Sequence, residues 1–305
     1  MSKQIEDNYN PSKEDNKNSG KIHFIRKKLS LPNFNNNREF GRLNLEHCLY
    51  RYQWQGNFSS PIEQQLKEGK MQVLNIGSGT CAWVMDMATE YPKCTFLGLD
   101  TSPIFLTEGQ RLPNTGFMQS DVLNNETFDF VSERFLIYAS TNSECRLLFN
   151  EMCRVLKPGG WIELMEFRIG YENYGPITKS GNDQVLDYLR KKGIYSEMNI
   201  NMIPQLIQDS PCLTNFYQLE KKGPIGNWGG EFGSLMLENY KMSRRSLNSF
   251  AKLISDNEHE EFIKQLSTVM TALKLTNHIG KSKRPLKKYM TYGILPIYDG
   301  SSAIS

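Results

Sequence analysis

The 305-residue sequence is poor in the residues that build metal sites and disulfide frameworks. Its six cysteines, at positions 48, 81, 94, 145, 153 and 212, include no Cys-x-x-Cys pair. Its four histidines, His23, His47, His259 and His278, show no i, i+4 pairing. Structural zinc and disulfide scaffolds need tighter clustering, so no metal is expected, and reduced thiols point to a cytoplasmic or nuclear setting. No apolar run approaches the ~18–20 residues of a bilayer span, and the opening MSKQIEDNYN has no apolar signal core, so no membrane partner is expected. Net charge is scarce as well: 36 Lys and Arg face 33 Asp and Glu. The excess lies in residues 1–38, with eight basic and four acidic side chains, whereas the other 267 residues hold 28 and 29. A near-neutral body is a poor match to a polyanion, and no nucleic-acid partner is expected. Nothing in the sequence sets an oligomeric state.

What is present divides the chain. Residues 1–38 carry eight Asn, two short charge clusters and almost no apolar periodicity, and are expected to form a disordered basic leader. In REFGRLNLEHCLYRYQW, Phe40, Leu43, Leu45, Cys48 and Leu49 fall on one face of a helix. SSPIEQQLKEG reads as a helix start capped by Ser60, with Pro61 at the first helical position and Gly69 near the end. A regular alternation follows: strands MQVLNIG, CTFLGLD, TGFMQSD, FDFVSERFL and WIELMEF, separated by helical stretches. Strands alternating with helices imply parallel pairing and a three-layer α/β sandwich. Later, DQVLDYLRKKG reads as a helix and TNFYQLEKKGPI as a strand. Residues 233–275 read as an inserted helical cap and LKKYMTYGILPIY as a returning strand. One domain over 39–298 with a flexible tail at 299–305 is the expected organisation.

The informative stretch is VLNIGSGTCAWVMDMATEYPKCTFLGLD. A strand runs into Gly77-Ser78-Gly79, a helix follows, and a second strand ends at Asp100, 21 residues beyond Gly79. Gly77 permits the tight turn, and Gly79 lets a ligand approach amides at a helix N-terminus. A carboxylate at the end of the neighbouring strand can accept ribose hydroxyls. Two cofactor classes suit this. GSGTCA satisfies Gly-x-Gly-x-x-Ala and admits a nicotinamide dinucleotide; the same crevice also holds S-adenosylmethionine, which has no pyrophosphate. Asp121 at the end of the third strand, the acidic-aromatic FDFVSERFL and the Pro-Gly-Gly turn in RVLKPGGWIELME favour the second. Tyr-x-x-x-Lys occurs at Tyr188/Lys192 and Tyr217/Lys221, at about the frequency expected by chance.

With these motifs and REFGRLNLEHCLYRYQWQGNFSSPI and GPIGNWGGEFG, residues 38–298 resemble class I S-adenosylmethionine-dependent methyltransferases. They are most similar to the fungal group related to the regulator-type enzymes of secondary metabolism. The resemblance implies a seven-stranded, mostly parallel sheet whose final strand is antiparallel, with N-terminal helices and a helical cap. It implies that Gly77, Ser78 and Gly79 line the methionine and ribose. Asp100 and the adjoining Thr101 would serve the ribose, and Asp121 with Val122 would border the adenine. Glu133 and Arg134 would face the reacting end of the cofactor. Asn75 and Cys81 depart from the family pattern, which has Asp before the turn and a third Gly within it.

Methyl transfer from a sulfonium is an in-line displacement, so the protein mainly holds donor and acceptor together. A base is needed where the acceptor must lose a proton, and His47, Glu133 and Glu166 are the candidates, with Tyr138 as a positioner. The expected activity is methylation of a small molecule or a protein. The alternatives are a methyltransferase-fold regulatory or binding protein, motivated by Asn75 and Cys81, and more distantly an NAD(P)-dependent oxidoreductase.

Overall fold

The computed structural model describes residues 37–100, 111–118, 123–137, 140–172, 176–194, 196–251, 254–266 and 271–283. Thr101, Asp121, Val122 and Tyr138 lie outside the described residues, as do the leader up to residue 36, the stretch 286–298 and the tail 299–305. The elements run α1 (Asn37–Trp54), α2 (Glu63–Glu68), β1 (Gln72–Ile76), α3 (Ala82–Glu90), β2 (Thr95–Leu99), β3 (Thr115–Met118), β4 (Phe128–Arg134), α4 (Asn142–Val155), β5 (Leu156–Glu172), α5 (Pro176–Lys191), α6 (Ser196–Asp209), β6 (Leu213–Ile225), a 3-10 turn (Asn227–Gly229), α7 (Gly230–Ala251), α8 (Asp256–Leu266) and β7 (Thr271–Ser282).

Seven strands form one sheet in the order β3-β2-β1-β4-β5-β7-β6. The pairs from β3 to β5 are parallel, and β7 runs antiparallel to both β5 and β6. Neighbouring residues on a strand point to opposite faces, and both faces are covered here. Leu74, Val131 and Ile162 pack with Leu148, Met152 and Ile203 from α4 and α6. Val73, Phe130 and Trp161 pack with Leu66, Trp83 and Met87 from α2 and α3. A third apolar cluster joins Tyr50 of α1, Met165 of β5, Val185 and Leu189 of α5, Met236 of α7 and Phe262 of α8. That cluster stands over the carboxyl end of the parallel strands, where α/β sheets bind ligands.

Three expectations are corrected. Ser60 does not cap α2: the N-cap is Ile62, with no side-chain cap, and the Ser60 amide and hydroxyl both donate to the Glu163 carboxylate. The apolar face assigned to α1 is displaced, for Cys48 is exposed while Glu39, Arg42 and His47 are buried beside Leu49, Tyr50 and Trp54. Arg42 makes this polar face buriable by pairing with Glu39 at 2.7 Å and Glu46 at 2.9 Å. The cap helices stop at Leu266, and residues 271–275, read as helix, begin β7. Flanked by strands on both sides, β7 buries Thr276, Asn277, His278 and Ile279 in succession, which erases the alternation by which strands are recognised.

Candidate active site

The turn after β1 is pinned from within. Gly77 and Gly79 adopt φ of 72° and 52°, the left-handed region that glycine enters freely. The Gly77 and Ser78 amides donate to the Leu99 carbonyl at 2.8 and 3.1 Å, and the Gly79 amide donates to Asp100 Oδ2 at 2.7 Å. Glycine turn and strand-end carboxylate, predicted separately, are thus one unit. Cys81 also sits at positive φ, 65°, and is fully buried with Trp83, Val84 and Phe96. Its thiol fills the core beneath the turn. Asn75 is buried and donates to the Ser132 carbonyl of β4 at 3.4 Å.

The turn opens on a cavity of about 420 Å³. Gly77, Ser78, Gly79, Thr80 and Asp100 line it, together with Arg134 and Phe135 at the end of β4, and so do residues of α1, α5 and α7. Its volume lies in the range of small-molecule sites. Phe135 stands between Tyr50 and Phe167, with ring centroids 4.7 and 5.4 Å away, so the wall beside Arg134 is aromatic.

Arg134 and His47 meet in this wall. Arg134 Nη2 donates to His47 Nδ1 at 3.2 Å, which fixes the proton on Nε2, and that nitrogen donates to Asp86 Oδ2 at 3.0 Å. Burial, then the neighbouring Arg134 charge, push the His47 pKa down to about 4, so the ring is neutral. Arg134 is drawn down to about 10, first by burial. Among the described residues no carboxylate forms an ion pair with it, and its guanidinium lies 6.0 Å over the Trp83 ring.

Glu133 and Glu166 do not face the cavity. Both are fully buried, Glu133 pointing away from Arg134 as strand alternation requires. Glu133 Oε1 accepts the Leu136 amide and Glu166 Oε1 accepts the Ile137 amide at 2.8 Å. Between those amides and β4 lies Phe135 at φ 63°, a conformation bulky residues rarely adopt. The two carboxyls interact, and burial raises Glu133 to about 7. Among the described residues Glu133 Oε2 has no hydrogen-bond partner. The pair clamps the strained turn that carries Phe135 into the wall.

Residues 73–160, which contain the glycine turn, Asp100 and β4, match the family model described as a methyltransferase domain. Proteins similar in sequence include the N-methyltransferase verN of Clonostachys rogersoniana, 28% identical over 153 residues, covering 48% of this chain and 53% of that one. Another is the methyltransferase pytC of Aspergillus terreus, 31% identical over 143 residues, covering 45% of this chain and 42% of the relative. The secondary metabolism regulator laeA of Coprinopsis cinerea is 29% identical over 100 residues, 31% of this chain and 24% of that one. The chain thus spans about half the length, or less, of the curated relatives it matches.

Around this cavity, the sequence did not point to Asp86, which orients His47, or to the polar residues Asn182, Asn239 and Arg244 in the wall. The first had no signal, being 39 residues from its partner. The last two lie on one helix with Met236, Tyr240 and Leu247, at spacings of three and four that mark one face. Trp228, within GPIGNWGGEFG, is half exposed and donates to the Ile225 carbonyl at 3.1 Å. Among the described residues, no helix is long and apolar enough to cross a membrane.

Proposed function

We propose that the chain transfers a methyl group from S-adenosylmethionine to an acceptor held under the helical cap. The observation that carries this reading is that the Gly77–Thr80 turn, Asp100 and Arg134 open on the same cavity as the aromatic wall and α7. These residues suit the cofactor's parts. The glycine turn accommodates its backbone-hugging amino-acid end, Asp100 its ribose hydroxyls, and Arg134 its carboxylate. A dinucleotide is matched less well. A pyrophosphate needs free amides at the turn, and those of Gly77, Ser78 and Gly79 donate to Leu99 and Asp100. When bound, S-adenosylmethionine supplies a methyl group already activated on a sulfonium.

The chain's own part is placement. Asp86 and His47 hold Arg134 in the wall, and the Glu133–Glu166 clamp holds Phe135 beside it. The aromatic wall excludes water from the reacting atoms. His47 is a positioning residue, not a base, because both of its ring nitrogens are engaged and its pKa is about 4. The alternative of a non-catalytic binding protein loses one of its supports here, since the Cys81 thiol packs into the core. The names of two relatives, both N-methyltransferases, favour nitrogen as the acceptor atom, on a small molecule by the size of the cavity, and a protein acceptor is the second reading. Among the described residues no cysteine forms a disulfide, which supports a cytoplasmic or nuclear location; we place no nucleic acid or membrane among its partners.

Calorimetric titration of the purified protein with S-adenosylmethionine, S-adenosylhomocysteine and NADPH tests the reading. Heat is expected from the first two, weakened about tenfold or more by Asp100→Ala through loss of a charge-assisted hydrogen bond. Silence with both sulfur ligands, or heat with NADPH alone, would overturn it.

A further inference from the structure

Two buried side chains in the cap portion of the cavity each carry a polar atom without a partner among the described residues. Asn239 of α7 is 5% exposed and its Oδ1 accepts no hydrogen bond. Arg244, one and a half turns further along, is 6% exposed, its Nε has no acceptor, and among the described residues no carboxylate pairs with it. Both line the cavity. The two other arginines in the wall are accounted for: Arg42 is neutralised by Glu39 and Glu46, and Arg134 is held by His47 beside the glycine turn.

A buried cation without an anion is costly, and so is a buried carbonyl without a donor. Among the described residues, the compensation for Arg244 is the Phe262 ring, 5.0 Å from its Cζ. Its titratable neighbour His259 adds nothing negative: it is pushed down by burial and then by Arg244 itself, and it stays neutral. Asn182 and Ser243 also line this portion, the former accepting from the Tyr240 hydroxyl at 3.0 Å, and the rest is apolar, built from Phe135, Phe167, Val185, Leu189 and Met236. The site therefore lacks one anion and one hydrogen-bond donor, both carried on an apolar body small enough for the cavity.

We infer that the chamber between α5 and α7 is the acceptor site and takes a small aromatic or apolar molecule. A carboxylate on it pairs with Arg244, and an N–H group on it donates to Asn239. This rests on the methyltransferase reading for the word acceptor, but the binding chemistry stands on the chamber alone. A charged, anchored carboxylate fixes the molecule at one end and leaves the other end directed along the aromatic wall towards the turn.

The test uses the full chain and three aryl probes of one shape: phenylacetate, phenethylamine and L-phenylalanine. Binding is read by ligand-observed NMR, with and without S-adenosylhomocysteine. Phenylacetate and L-phenylalanine are expected to bind at least tenfold more tightly than phenethylamine. Arg244→Met is expected to abolish that order, and Asn239→Leu to remove the advantage of L-phenylalanine over phenylacetate. Arg244→Lys, which keeps the charge where the Met variant is too unstable to assay, is expected to preserve the order at a few-fold lower affinity. S-adenosylhomocysteine affinity is expected to be unchanged in all three variants. Equal binding of the three probes, binding of none at millimolar concentration, or an order indifferent to both Arg244 variants would overturn the inference. So would loss of S-adenosylhomocysteine binding in Arg244→Met, which would assign that arginine to the cofactor. If the wild-type protein ignores S-adenosylhomocysteine yet ranks the probes as stated, the methyltransferase reading fails and the chamber assignment survives.

Discussion

Arg134 at the end of β4 donates to Nδ1 of His47 in the middle of α1 across 3.2 Å, and so ties the sheet to the N-terminal helix. Because the acceptor nitrogen of a neutral imidazole is what holds the guanidinium, the link depends on His47 staying uncharged. With a pKa near 4 it does so throughout the neutral range. His47→Phe removes the acceptor and is expected to weaken S-adenosylhomocysteine binding about tenfold, by freeing Arg134 from its position. His47→Gln, which can still present an oxygen, is expected to retain most of the affinity. Binding measured from pH 6 to pH 8 in the wild type should show no titration attributable to this ring.

Glu133 gives the opposite kind of pH effect. Burial raises its pKa from the ordinary 4.5 to about 7, so between those values the folded protein holds a proton that the unfolded chain has released. Its contribution is therefore full below the unfolded value and is lost as pH rises towards 7. Glu133→Gln should stabilise the protein at pH 8 by on the order of 1 kcal/mol and flatten the decline between pH 5 and 7. Urea denaturation at a series of pH values measures both.

Glu163 is expected to matter more for the fold than any carboxylate in the cavity wall. It is 3% exposed and accepts from the Ser59 and Ser60 amides, the Ser60 hydroxyl and Asn277 Nδ2. Glu163→Ala strands those donors and should cost roughly 3 kcal/mol, read as a lower denaturation midpoint at unchanged slope.

The two smallest substitutions at Cys81 should diverge. Cys81→Gly relieves the backbone strain at φ 65° by about 1 kcal/mol and loses a buried side chain of similar worth, leaving stability nearly unchanged. Cys81→Ala keeps the strain and loses the packing, so its melting temperature should fall. Neither should alter cofactor affinity by more than a few-fold, because the thiol, buried in the core cluster, makes only long contacts with Ser78 Oγ at 3.9 Å and the Gly79 carbonyl at 3.8 Å.

The parts of this protein that could be read in the sequence are those whose chemistry is local. Gly77, Gly79 and Asp100 announce a turn, a close approach and a carboxylate within 24 residues. Thr141 and Glu144, three apart, form the capping box that starts the helix before β5. What could not be read is decided across the chain. The polar face of α1 is buried because Arg42 brings its own counter-charges, so apolar spacing pointed to the wrong side. Glu133 and Glu166 drew attention as carboxylates near a crevice, yet strand alternation turns Glu133 from the cavity, and a strained aromatic at position 135 gives the pair its use.

The place of β7 has a consequence for how the chain is made. Of the described strands it is the last to leave the ribosome, yet it lies between β5 and β6 and is the partner through which β6 joins the sheet. Until residue 282 has emerged, β6 is an orphan edge and β5 shows its open side to solvent, the kind of exposed strand that invites chaperones or aggregation. The cap helices, synthesised between them, must wait over an unfinished floor. The acceptor chamber is thus assembled only when the chain is nearly complete, and a polypeptide stalled before β7 would have a finished glycine turn and nowhere to hold a substrate.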